Sequence, residues 1–156
     1  MVSRKGNGIR MPHQSVSGVE VNQYPYYQAR DLKGEVVAVL QTCSEHRGME
    51  IMSLQSRAIR TGDIHELSCT DEENAVPGGS VDRVSYLGFF EVTEGTLLIT
   101  GTRLYLDGEY VGTVAGFNDM HMPNHYNILI RTADFRNGKE RGFAIGKKLT
   151  FRFEEP

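Results

Sequence analysis

The stretch RLYLDGEYVGTVAGF, residues 103–117, decides the fold class. Asp107-Gly108 divides it, and that dipeptide supplies the two positive φ angles a type I′ turn needs. The turn predicts a register in which Leu106 faces Glu109, Tyr105 faces Tyr110 and Leu104 faces Val111. Gly112 and Gly116 stand four apart on the second arm, which points to strong coiling there or to close approach by another backbone.

Working outward, the same strand chemistry recurs. DRVSYLGFFEVTEG (82–95) places Val84, Tyr86, Phe90 and Val92 on one face at period two, with Leu87 and Phe89 on the other. TLLIT (96–100) follows. EVVAVLQTC (35–43) is a nearly continuous apolar run that reads as a strand with little exposed surface, and MEIMSLQS (49–56) is a candidate partner for it across SEHRG. YNILIRT (126–132), GFAI (142–145) and LTFRF (149–153) complete the series. RAIRTGDIHEL (57–67) carries a Thr-Gly-Asp turn signal and reads equally as a strand pair or a short helix. TDEENAVPGGS (70–80) has the composition of a mobile surface loop and is the best candidate for a lid or insertion.

No run of ten or more residues shows a helical period. Evenly spaced strands and glycine-bearing turns predict an all-β fold, a small single-domain antiparallel β-barrel or barrel-like sandwich. Residues 1–33 read as an irregular N-terminal segment and residues 34–156 as the barrel domain. In that segment the first dozen residues are expected to fray, and Tyr24, Tyr26 and Tyr27 to pack the tail onto the body.

Composition narrows the function classes. The 156 residues are 39% hydrophobic and 24% charged with a net charge of -3, which suits one folded domain and indicates neither disorder nor a polyanion-binding surface. No apolar run approaches the roughly 18 residues of a membrane span, and the basic start is not followed by a signal-like segment, so a cytoplasmic protein without a membrane partner is expected. Cys43 and Cys69 match no zinc spacing and read as free thiols.

Small barrels with aromatics do bind single strands, and Arg131, Arg136, Lys139, Arg141, Lys147, Lys148 and Arg152 face only Asp134 and Glu140 in their region. These cations alternate with turns, however, so nucleic acid is not the expected partner. There is no glycine-rich phosphate loop and no Gly-x-Ser-x-Gly elbow. Exposed strand edges leave a homodimer open.

Chemistry concentrates in GFNDMHMPNHYNILI, residues 116–130. Pro123 between His121 and His125 rules out a helical metal motif, and proline cannot open a primed hairpin turn, so a wider loop from about Asn118 to His125 is expected at the barrel rim. If the arm stays extended, Asp119 and His121 share a face with Phe117 and Ala115. A carboxylate there would orient the imidazole and raise its basicity for proton transfer. His125 would share a face with Asn127, Leu129 and Arg131.

The expected reaction is therefore a cofactor-free acid/base rearrangement or cyclisation of a small organic molecule, of isomerase, cyclase or lyase type. Asp119, His121 and His125 would be catalytic, and Asn124, Tyr126, Asn127 and Arg131 would bind substrate. Glu91, as an interior carboxylate, would join them in binding substrate. Two alternatives stand beside it. One is a noncatalytic module recognising a small ligand, a protein or single-stranded nucleic acid. The other is a metal-dependent enzyme in which Asp119, His121 and His125 hold zinc, iron or manganese, with His65-Glu66 or Glu45-His46 as the place to look for a distant ligand. The bland reading is a polar turn whose Asp and Asn bond local backbone while the histidines rest on the surface.

Overall fold

The computed structural model describes residues 30–154 and, upstream, the two-residue strands β1 (Ser3–Arg4) and β2 (Gly6–Asn7), which pair with each other. The expectations for Tyr24, Tyr26 and Tyr27 lie outside the described residues, as do most of those for the first dozen. Twelve further strands follow: β3 (Leu32–Val39), β4 (Cys43–Ser44), β5 (Met49–Glu50), β6 (Ser56–Ile59), β7 (Ile64–Thr70), β8 (Ser80–Val81), β9 (Val84–Glu94), β10 (Thr96–Ile99), β11 (Arg103–Leu106), β12 (Glu109–Asn118), β13 (Asn127–Arg131) and β14 (Lys148–Arg152). No helix occurs among the described residues, so none is long and apolar enough to cross a membrane. The first ring strand begins at Leu32, just inside the segment read as irregular.

Seven strands close on themselves in the order β3, β14, β11, β12, β13, β7, β9 and back to β3. Six of the seven pairings are antiparallel. The exception is β13 against β7, which is parallel and corrects the all-antiparallel expectation. Parallel neighbours need a long connection, and here almost the whole of the chain from β8 to β12 lies between them.

The Asp107-Gly108 hairpin forms as read, with φ of 48° and 88° and with Tyr105 opposite Tyr110 and Leu106 opposite Glu109. Beyond that the register slips. Leu104 faces Gly112 rather than Val111, because Val111 is the extra residue of a bulge.

Of the four further register shifts in the ring, two lie in the β3–β9 pairing and two reset side-chain phase near the β12–β13 loop and β7. In β9 the pairing passes from Leu67 opposite Gly88 to Ser68 opposite Tyr86, so Leu87 is the extra residue and joins Phe90 and Val92 inside. Val84 and Tyr86, expected on that same face, turn outward. In β12 the pairing passes from Val114 opposite Ile130 to Gly116 opposite Leu129, which sends Ala115 outward and Phe117 inward.

Every ring strand contributes to one buried apolar cluster that includes Leu32, Leu67, Phe90, Leu104, Phe117, Ile128 and Phe151. Phe143 enters it too, although GFAI is a turn segment between Gly142 and Gly146 and not a strand. Ile59 of β6 and Leu98 of β10 also belong to it, so this two-stranded ribbon covers part of the ring interior. Residues 49–56 therefore do not pair with β3: β5 pairs with β8, and β6 with β10.

A second cluster lies on the outer face of β12 and β13, where Ala115 and Leu129 meet Met49, Ile51, Ala75, Val81 and Val84. The 70–80 stretch packs here instead of forming a free lid. Ala75 is buried, and the Gly78 N–H donates to Ile51 O at 3.0 Å. Gly116 is what lets this layer settle, since a Cβ at that position would run into Ile51 Cγ2. Gly116→Val is expected to destabilise the protein by about 1–3 kcal/mol, read as a lower urea midpoint. Exposed Glu109→Ala should stay within about 0.5 kcal/mol of the parent.

Candidate functional site

The loop between β12 and β13 is the wide turn that Pro123 demands. Met122 N–H donates to Asp119 O at 3.0 Å, and the N–H groups of Asn124 and His125 both donate to His121 O, at 2.9 and 3.3 Å. The Met122-Pro123 peptide is cis. The end of the loop is then spliced onto the start of β7. Tyr126 N–H donates to His65 Nδ1 at 3.0 Å, and Glu66 N–H donates to Tyr126 O at 3.0 Å. Asn127 stands opposite Glu66 in the parallel register.

Side-chain alternation does the rest. His65 and Tyr126 turn inward, while Glu66 and His125 turn outward together.

On the outer side His125 Nε2 lies 3.3 Å from Glu66 Oε1, and Asn124 Nδ2 donates to His125 Nδ1 at 2.9 Å. With Nδ1 accepting, the neutral ring carries its proton on Nε2 and directs it at the carboxylate. The His121 ring stacks on His125, centroids 5.0 Å apart and planes 23° off parallel, and Phe89 meets His125 edge-on at 5.2 Å. One ligand-type atom from each of Glu66, His121 and His125 falls within 4.8 Å of the other two. The Glu66 side chain is only 10% exposed and His125 12%, whereas His121 faces solvent. Among the described residues His125 is the only charge-bearing partner of the Glu66 carboxylate, although a buried carboxylate calls for strong compensation.

The carboxylate expected beside His121 is elsewhere. The bulge at Ala115 breaks the shared face of Ala115 and Phe117, and Asn118 then anchors the loop by donating from Nδ2 to Glu50 O at 2.7 Å. Asp119 instead borders an open groove of about 310 Å³ lined by residues 50–54. No hydrogen bond or ion pair among the described residues joins its carboxylate to either imidazole.

Asn127 is buried and accepts the Ser68 hydroxyl at 2.5 Å, and Arg131 donates to Ala75 O at 3.3 Å. Both face the covered outer layer with Leu129, on the shared face that the alternation predicts, and not the ring interior. Glu91 is exposed, not interior. Tyr126 is the one proposed substrate-binding side chain that does turn inward, where it packs against the main core.

The sequence signal for Glu66 was present in IHELSCT but easily misread. His65, Leu67 and Cys69 alternate with Glu66, Ser68 and Thr70, which marks a strand with one polar face, not a solvated His-Glu pair in a loop. Cys69 has its thiol pushed up to about 12 by burial, so it is not a nucleophile near neutral pH. Cys43 is free and exposed. The basic C-terminal strands are largely paired off: Arg136 and Arg141 with Asp134, Lys148 with Glu35, and Arg152 with Asp31.

Comparison with known protein families finds a match. The sequence pattern of a family of unknown function, DUF6917, covers residues 26–152. The chain belongs to this family. No curated protein and no solved structure matches it. In this DUF6917 chain the matched span runs from before β3 to the end of β14, and so takes in the complete ring together with Glu66, His121 and His125.

Inside the ring, the buried His65 ring has its pKa lowered from the usual 6.5, mainly by desolvation. Asp63 opposes the shift and His125 adds to it. The unfolded chain therefore takes up this proton at higher pH than the folded one. Stability should be full above about pH 6.5 and fall as pH drops toward the depressed folded value, with a slope of up to about 1.4 kcal/mol per unit. Urea midpoints measured at pH 7.5 and 5.5 should differ less in His65→Gln than in the parent DUF6917 protein, and an unchanged difference would contradict the assignment.

Proposed function

We propose that this DUF6917 protein is a small β-barrel that holds a divalent transition-metal ion through Glu66, His121 and His125 and uses it on a small organic substrate at the rim. The observation that carries the reading is the gathering of three ligand atoms, one from β7 and two from the loop after β12, within 4.8 Å. Ligands bound at about 2.0–2.1 Å in a tetrahedral site stand about 3.3 Å apart. His125 Nε2 and Glu66 Oε1 already have that separation, at 3.3 Å. His121, exposed on the turn, has to move by only about 1.5 Å to complete the set, which a side-chain rotation supplies.

Charge supports the same conclusion. A cation compensates the buried Glu66 carboxylate better than a neutral imidazole does. Two imidazoles and a carboxylate suit zinc, iron or manganese, and the solvent-facing side of His121 leaves coordination positions open. A metal there supplies Lewis acidity and a more acidic bound water, which fits hydrolytic or lyase chemistry better than the cofactor-free relay from Asp119.

The chain's own contribution is orientation. For His125 to bind through Nε2 its proton must sit on Nδ1, and Asn124 can accept it by turning its amide so that Oδ1 faces the ring.

Calorimetric titration of metal-free protein with zinc or cobalt should give near one-to-one binding. Glu66→Gln and His125→Ala should each weaken it by about tenfold to a hundredfold, with a smaller loss in Asn124→Leu and none in Asp119→Asn. Failure of the parent protein to bind, or equal binding by Glu66→Gln, would overturn the proposal.

A further inference from the structure

Opposite the Glu66, His121 and His125 cluster, on the inner side of the same strand junction, three hydrogen-bond donors stand without acceptors among the described residues. His65 Nδ1 is occupied by the Tyr126 N–H, so the proton of the neutral ring is on Nε2. That atom is buried with no hydrogen-bond partner, in a side chain only 6% exposed. The nearest carboxylate oxygen, Asp63 Oδ2, is 3.7 Å away, too far for a hydrogen bond.

Arg57 Nε is likewise buried and unpartnered. The guanidinium lies over the Tyr126 ring, with Cζ 5.5 Å from its centroid, and it forms no ion pair among the described residues. His65 packs against the same tyrosine at 5.7 Å between centroids. The Tyr126 hydroxyl, on a half-buried ring, also has no partner among the described residues.

Two unsatisfied buried N–H groups beside one phenol, whose hydroxyl can donate or accept, make a donor-rich surface. Such a surface is complementary to a group that only accepts. The neighbouring residues say what kind. Met52 Sδ accepts a long contact from Arg57 Nη2 at 3.9 Å, and Met52 also lines the open groove bounded by Glu50 and Asp119. Methionine is unbranched and flexible, so its swing opens a way from the groove to the arginine. Glu50 and Asp119 border the groove and Asp63 Oδ2 lies 3.7 Å from His65 Nε2, so multiply charged anions are disfavoured more than a monoanion.

From this we infer a second ligand site, built by Arg57, His65 and Tyr126 under the β6–β10 ribbon, that takes the carboxylate of a small monoanionic organic molecule. One carboxylate oxygen accepts from Arg57 Nε, and acceptance from His65 Nε2 or the Tyr126 hydroxyl orients the group. The apolar body of the ligand replaces Met52 beside the tyrosine ring. This site does not depend on the metal reading, because none of its three donors belongs to the Glu66, His121 and His125 set.

The test is an amide and imidazole NMR titration of metal-free protein with benzoate, with acetate and inorganic phosphate as comparison arms. Benzoate should produce saturable shifts at the Tyr126 amide and the His65 ring, acetate the same shifts more weakly, and phosphate none. Arg57→Met, which keeps the stem packed on Tyr126, should weaken benzoate by about tenfold or more. Arg57→Lys, which keeps the charge but lacks Nε, should also lose affinity. Glu109→Ala, at the exposed hairpin turn and outside both residue sets, should bind benzoate unchanged.

Absence of saturable shifts in the parent protein overturns the site, as does undiminished binding by Arg57→Met. Phosphate binding as tight as benzoate overturns the carboxylate class.

Discussion

The parallel pairing of β13 with β7 is the constraint on which the molecule depends. It is the only parallel contact in the ring, and through it the ring closes with residues 127–131 lying beside 66–70. Because both strands start at the same end, their first residues arrive at the rim together. An antiparallel pairing would have put Glu66 beside the far end of β13, remote from the loop that carries both histidines. The convergence of His65, Glu66, His125 and Tyr126 is thus a product of strand direction as much as of side-chain chemistry.

Strand alternation then divides those four residues between two environments. Glu66 and His125 look out past Phe89 toward solvent, whereas His65 and Tyr126 sit against the apolar core. Two short splicing hydrogen bonds, from Tyr126 N to His65 Nδ1 and from Glu66 N to Tyr126 O, hold the partition in place. Both backbone donors would otherwise be lost as the strands end, and an unpaired buried amide is costly.

Much of the fold was legible in the chain. The Asp107-Gly108 turn, the run of strands and the absence of any helical period all follow from local chemistry that acts over a few residues. The wide loop around Pro123 was legible for the same reason. What could not be read was phase and partnership. Single extra residues at Leu87, Val111 and Ala115 invert the alternation on either side of them, and nothing in VSYLGFF or VGTVAGF announces which residue will be bulged. That is why Val84 and Tyr86 were placed on one face with Phe90, whereas Asp119 and His121 part because the strand ends at Asn118 and the chain turns. Glu66 was missed as a principal site residue because its nearness to His125 spans 59 positions, and long-range pairing leaves no periodic trace.

The covered outer face of β12 and β13 has a further consequence. With Ala115 and Leu129 sealed under Met49, Ile51 and Val81, and Phe117 and Ile128 sealed within the ring, the middles of these strands are apolar on both surfaces. Substitutions there must conserve volume on two sides at once, while the turn that links the strands touches neither filling. The architecture therefore separates a frame filled on both sides from a rim segment, Asp119 to His125, whose side chains are answerable to the site more than to the interior.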